Sequence, residues 1–143
     1  MSSNLIRLCL LALAALVIQS CSIKYSAVGS FDNYAAVFEG SIAVGMTGSG
    51  TLTLHEVGGD ISCSGSTWVT YQPSFLKKGA RGAAAIECSD GRIVDVTWVQ
   101  SEENSGNGRG RDQEGNSLRF RYATNRVILD NYRRQLVAGE LSG

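Results

Sequence analysis

Leu118-Arg119-Phe120-Arg121-Tyr122-Ala123 alternates large apolar with mostly charged side chains at a period of two. Successive side chains of an extended strand point to opposite faces, so Leu118, Phe120 and Tyr122 are expected to face a core, and Arg119 and Arg121 to face water. The same parity recurs upstream. Phe38, Gly40, Ile42, Val44 and Met46 share one face, Leu52 and Leu54 the next, with Thr51, Thr53 and His55 turned outward. Ile61 with Cys63, then Ala84, Ile86 and Cys88, then Val94, Val96 and Trp98 continue the series. Thr47-Gly48-Ser49-Gly50, Val57-Gly58-Gly59-Asp60 and Ser89-Asp90-Gly91 separate these runs as glycine-bearing turns. The expected fold is therefore mainly β: an antiparallel meander of hairpins, forming a sheet or a small open barrel.

Two stretches read as loops, one around Pro73, Lys77 and Lys78 and one from Glu102 to Gly110. After Asn125 the period changes. Ile128, Tyr132 and Leu136 recur at helical spacing and Gly139 can stop a helix, so a short C-terminal helix packed on the sheet is expected, a final strand being the alternative.

The N-terminus carries a different signal. The free amino group and Arg7 precede eleven apolar or small residues, Leu8 to Ile18, followed by Gln19 and Ser20. This is the tripartite layout of a secretory leader, about half the length a membrane-spanning helix needs. The run Leu16-Val17-Ile18-Gln19-Ser20-Cys21 resembles the lipobox of bacterial lipoproteins, loosely at Gln19. That resemblance implies cleavage between Ser20 and Cys21, and a diacylglycerol on the Cys21 thiol as the only covalent group, with no other cofactor. An ordinary secretory leader cut near Cys21 is the alternative. Two or three acyl chains hold a protein far more firmly than one, since each buried methylene contributes about 0.8 kcal/mol. Ser22 rather than Asp after the cysteine implies, by the same resemblance, the outer membrane with the domain facing the periplasm. The expected organisation is a leader over 1–20, a lipidated tether over 21–33 reaching about 35 to 40 Å, and one small domain over 34–143.

Glycine spacing suggests a weak internal repeat. Gly48-Ser49-Gly50 with Gly59, Gly79-Ala80-Arg81-Gly82 with Gly91, and Gly108-Arg109-Gly110 with Gly115 read as three glycine-bounded hairpins, each one strand pair. In outline they resemble MORN-type repeats, without the opening Tyr-x-Gly of that family. Gly48-Ser49-Gly50-Thr51-Leu52-Thr53-Leu54, with Cys63 and Cys88-Ser89-Asp90-Gly91-Arg92, is similar to small domains of uncharacterised bacterial lipoproteins over about residues 38 to 122. No activity travels with that likeness.

Charge excludes one class of partner. Arg7 leaves with the leader, so thirteen Lys and Arg become twelve against thirteen Asp and Glu, a balance unsuited to electrostatic nucleic-acid binding. Of the four cysteines, Cys9 lies in the leader and Cys21 carries lipid, leaving Cys63 and Cys88 as a pair expected to bridge in an oxidising compartment. A loop of that size contributes about 3.5 kcal/mol in the chain-entropy account.

Sites for chemistry are sparse. His55 is the single histidine and is expected on the water side, without the partners a metal needs. No Gly-x-Ser-x-Gly elbow is present, and nothing selects Glu56, Glu87 or Asp95 as a carboxylate pair. Gly106-Asn107-Gly108-Arg109-Gly110 lacks the following helix of a phosphate loop, and Asp112-Gln113-Glu114-Gly115-Asn116 lacks the closing glutamate of a calcium loop. No catalytic residue and no metal site is expected. The remaining feature is a basic C-terminal surface of Arg109, Arg111, Arg119, Arg121, Arg126, Arg133 and Arg134, seven of the twelve cations left after the leader, in which Arg119, Arg121, Arg133 and Arg134 are candidates for contact with anionic lipid or an envelope polymer. The expected function is a non-enzymatic, lipid-anchored envelope protein that binds or scaffolds a periplasmic partner. A second expectation comes from lysozyme-inhibitor lipoproteins, which also combine a lipobox, a small β-barrel and a disulfide. A cell-wall hydrolase is the least favoured reading.

Overall fold

A computed structural model describes residues 21–74 and 77–140. Eight antiparallel strands follow one another around a closed barrel: β1 (Ser22–Phe31), β2 (Tyr34–Gly45), β3 (Ser49–Glu56), β4 (Ser62–Tyr71), β5 (Arg81–Cys88), β6 (Ile93–Glu102), β7 (Ser105–Asp112) and β8 (Ser117–Ala123). One helix, α1 (Arg126–Val137), follows. The mainly β meander and the C-terminal helix are as the sequence leads one to expect. Its closure goes further than an open sheet: β1 pairs with β8 from Ser26–Ala123 to Phe31–Leu118, so no strand edge is left unpaired.

The interior is filled by side chains, and a simple rule governs the filling. Large residues on one strand face glycines on the next. Phe120 stands opposite Gly108, Tyr122 opposite Gly106 and Leu118 opposite Gly110; Trp98 stands opposite Gly82. Gly29 of β1 is flanked by Phe38 on one side and Phe120 on the other. A methyl group on Gly108 would overlap the Phe120 ring, and one on Gly82 the Trp98 indole. The rings then meet edge to face, Tyr25 with Tyr122 at 5.3 Å and Phe31 with Phe38 at 5.3 Å between centroids.

Buried polar groups in this interior are satisfied within it. Trp98 Nε1 donates to Thr67 Oγ1 at 2.8 Å, and Thr67 donates to the Ala83 carbonyl. Tyr122 donates its hydroxyl to Gln100 Oε1, whose amide nitrogen donates to the Glu103 carbonyl. Burial, followed by the neighbouring Tyr25, pushes the Tyr122 phenol far above its ordinary value, which keeps it a neutral donor.

Cys63 and Cys88 face each other across β4 and β5 and are joined by a disulfide in the core. The bridge expected from the sequence is present. Leu52, Leu54, Ile86, Val94, Val96 and Trp98 point inward as their parity requires, and His55 points outward. Met46 is the exception, lying in the β2–β3 turn and 75 % exposed.

Three expectations are corrected. The residues assigned to a tether over 21–33 form β1, a strand integral to closure, so the domain begins at Ser22 rather than at residue 34. Its period-two pattern is masked because both faces are covered: Tyr25, Ala27 and Phe31 enter the core, while Val28 lies under α1 with Leu129 and Ala123. The Glu102–Gly110 loop is mostly strand: after a turn at Glu103 and Asn104, β7 runs with Gly106, Gly108 and Gly110 facing inward. Finally, the first two glycine brackets enclose single strands, not strand pairs, and the third, Gly108 to Gly115, holds the end of β7 and its turn. Gly48 and Gly58, with φ of 83° and 77°, bound β3, and Gly79 and Gly91, with φ of 94° and 92°, bound β5. These are left-handed backbone positions that glycine adopts without strain.

Helix α1 starts at Asn125, whose side chain accepts from the Val127 amide at 2.9 Å. It stops at Ala138, with Gly139 in the left-handed region. Leu129, Ile128, Tyr132 and Leu136 lay it over β1, flanked by β8 and β2.

Candidate functional site

A barrel filled to its axis presents its chemistry on the outside. The outward residues of β6, β7 and β8 form one cationic part of that surface. Arg109 of β7 stands directly across from Arg119 of β8, and on the other side from Thr97 of β6. One step along, Arg111 lies between Asp95 and Ser117. Together with Gly110 and Leu118 these residues line a shallow groove of about 420 Å³. Like charges directly opposite in adjacent strands destabilise a sheet. The pair Arg109 and Arg119 sets two guanidinium groups side by side on this face. Guanidinium groups cannot take up a proton and match carboxylate or phosphate oxygens in pairs, so these arginines offer donors rather than a base, and Asp95 is the carboxylate of the lining.

Arg121, one turn of the pleat away, is half-buried beside α1, and its Nε has no hydrogen-bond partner among the described residues. Tyr132 of α1 feels the same cluster. Burial raises its phenol above the ordinary value, and Arg119, Arg121 and Arg109 each pull it back. The structure does not gather all four arginines of the expected basic surface. Arg119 and Arg121 belong to the β8 face, whereas Arg133 forms an ion pair with Glu39 of β2 on the other flank of the helix. Arg134 donates to Asn131 within the helix. Arg109 and Arg111, expected on the basic face but in a stretch read as loop, are outward residues of β7 and stand where Arg133 and Arg134 do not.

His55 lies in a row the linear sequence does not reveal. Its cross-strand neighbours are Glu39 on β2 and Ser62 on β4, which places Ser, His and Glu side by side on the outer face. Among the described residues no hydrogen bond joins His55 to either neighbour, and Glu39 is engaged by Arg133. A nucleophile needs its base within hydrogen-bond reach and an oxyanion site beside it, and the flat exposed row supplies neither. Among the described residues no group of three His, Cys, Asp or Glu side chains could hold a metal ion.

Cys21 is exposed, carries a free thiol and directly precedes β1. Its partner in the expected cleavage, Ser20, lies with the whole leader outside the described residues. Among the described residues no helix is long and apolar enough to cross a membrane. The strands do not suit the bilayer either, because their outward face carries Ser41, Thr53, Ser64, Thr97, Arg109 and Arg119 where a membrane barrel needs an apolar band. Comparison with known proteins finds no family model, no curated protein and no solved structure that matches the chain.

Proposed function

We propose that this is a lipid-anchored protein of the bacterial cell envelope, held at the outer membrane and facing the periplasm, which binds or scaffolds a partner without transforming it. The observation that carries the reading is Cys21: the lipobox-like run Leu16 to Ser20 ends at a cysteine that is exposed, unpaired and adjacent to the first strand. Acylation there would hang the barrel from the bilayer with no spacer. The partner would meet the outer surface, and the groove of Arg109, Arg111 and Arg119 suits an acidic protein segment or an anionic envelope polymer. Mass spectrometry of the mature chain tests the anchor. The expected N-terminus is Cys21 bearing a diacylglycerol, and Cys21→Ser should abolish both the modification and membrane recovery. An unmodified N-terminus would overturn the proposal.

A second reading, inhibition of a lysozyme, is supported by the disulfide-closed barrel alone, which is architecture rather than a motif. Mixing the protein with lysozymes distinguishes the two: lost lysozyme activity favours inhibition, and unchanged activity leaves the binder. Crosslinking in cells through the β7–β8 face would identify the partner directly.

A further inference from the structure

The barrel is divided along its axis by two properties that coincide. One mouth is formed by the start of β1, the β2–β3 turn, the β4–β5 connection, the β6–β7 turn and the start of α1. Cys21 leaves the barrel there. The exposed apolar side chains gather at this end: Met46 in its turn, Ile23 near the start of β1, Val127 in the first turn of α1 and Tyr71 at the end of β4. Trp68 lies three residues before the end of β4 and is 42 % exposed. Among the described residues both exposed aromatics are therefore on the Cys21 side. Among the described residues, Val57, Ile93 and Val137 are the large exposed hydrophobics of the opposite end, all of them aliphatic.

Charge follows the same axis. Around the Cys21 mouth the exposed cations are Lys24, Lys77, Lys78, Arg81 and Arg126, against Glu102 and Glu103. Arg81 lies 5.8 Å from the centre of the Tyr71 ring, adding charge to the aromatic edge. The four turns at the far mouth carry Asp32, Asp60, Asp90 and Glu114. At this end Arg92 is folded inward over Phe31 at 4.4 Å and held by Asp90 at 2.9 Å, and the exposed cations Arg111, near the end of β7, and Arg134, in the last turn of α1, are outnumbered by those four acids with Glu87 and Glu140. A chain with no net charge is thus basic at one mouth and acidic at the other.

We propose that the Cys21 mouth is a lipid-facing surface that lies against an anionic bilayer, so that the barrel stands upright on the membrane with its acidic mouth pointing away. The inference rests on Cys21 being the attachment point. It adds that the protein has one orientation once attached. Tryptophan and tyrosine are amphipathic rings suited to the bilayer interface, and lysines lay apolar stems along it while their heads reach the phosphates. A second copy docking mouth to mouth would bring the same cations together, which disfavours that occupant. The field of anionic lipid decays within about 8 Å at physiological salt, shorter than a strand of the barrel, so it attracts the near mouth and leaves the far one unaffected.

The test uses the chain from Cys21 onward, which contains every strand, the helix and the disulfide, coupled through the Cys21 thiol to maleimide lipid in vesicles with one-third phosphatidylglycerol. Coupling supplies the attachment whether or not cells acylate the residue, so failure here counts against docking alone. Brominated phospholipid should quench the Trp68 share of emission, taken as the difference from Trp68→Phe, about twofold. The buried Trp98 reports that each variant remains folded. A tryptophan introduced by Val57→Trp in the Trp68→Phe background should not be quenched. For the uncoupled Cys21→Ser chain, Lys77→Gln and Lys78→Gln should each weaken partitioning to the same vesicles about fivefold. Unquenched Trp68, quenching at the Val57 position, or partitioning indifferent to both lysines would overturn the proposal.

Discussion

β7 and β8 are neighbours of similar length and opposite strategy. β8 sends Leu118, Phe120 and Tyr122 into the barrel, and β7 meets them with Gly110, Gly108 and Gly106. A barrel of eight strands has room for only so much side-chain volume, and here the rings of β8 are accommodated by glycines on the neighbouring strand. The rule holds beyond this hairpin, at Gly82 opposite Trp98 and at Gly29 between Phe38 and Phe120. Glycine here is a core residue whose contribution is the space it leaves.

The largest effect should come from emptying that space. Phe120→Ala removes a ring that is 1 % exposed and should cost about 3–5 kcal/mol, read from the denaturant midpoint, while Arg119→Ala beside it should change little. If Phe120→Ala cost no more than Arg119→Ala, the packing account would fail. The disulfide gives a calibration independent of both strands. Reduction, or Cys63→Ala with Cys88→Ala, should remove about 3.5 kcal/mol and lower the melting temperature by several degrees. An unchanged melt would show that β4 and β5 are held by pairing alone.

Filling the space should destabilise as well, by less. Gly108→Ala should cost about 1–3 kcal/mol by forcing the new methyl group against Phe120. That cost should shrink in a Phe120→Leu background, and a double-mutant cycle with no coupling would mean that the two positions do not share one volume.

The smallest effect concerns the turn that fixes the register of this hairpin. Asp112 accepts from the amides of Glu114 and Asn116 at 2.9 and 2.8 Å and from the Asn116 side chain. Burial alone would raise its carboxyl, but these hydrogen bonds and the charge of Arg92 outweigh it and hold the group below the ordinary carboxylate value. A depressed folded value means that the stabilisation is present above the unfolded value of about 3.9 and is lost as pH falls through the lower folded one. Denaturation midpoints measured downward from pH 6 should therefore decline less steeply for Asp112→Asn than for the parent chain in that acid window. Parallel profiles would show that Asp112 contributes no pH dependence.

The comparison also explains which parts of the molecule were legible. β8, β3 and β6 alternate apolar with polar residues because one face meets the core and the other meets water. β7 alternates too, with glycine as the inward member, so its period of two was on view but did not register as hydrophobic. The signal was the match between Gly106, Gly108, Gly110 and Tyr122, Phe120, Leu118 in reverse order. β1 failed for the opposite reason: Val28 is covered on the outside by α1, so apolar residues occur on both faces. The candidate groove inherits this unevenness. Arg119 was visible as an outward residue of a clear strand, whereas Arg109 and Arg111 were legible as charges of the basic face but could be set opposite Arg119 and Ser117 only once β7 is a strand. Arg133 was grouped with them by proximity in sequence and is drawn away by Glu39.

Residue order alone determined the secondary-structure class, the inward set of most strands, the helix with its stop at Gly139, the pairing of the last two cysteines and the run that marks Cys21. Those follow from side-chain parity, backbone freedom and local spacing, which act over a few residues. Closure of β1 on β8, the sharing of volume between rings and glycines, and the separation of a basic mouth from an acidic one were decided only in three dimensions. Each depends on which segments become neighbours around the barrel, and residues far apart in the chain acquire that relation only when the last strand meets the first.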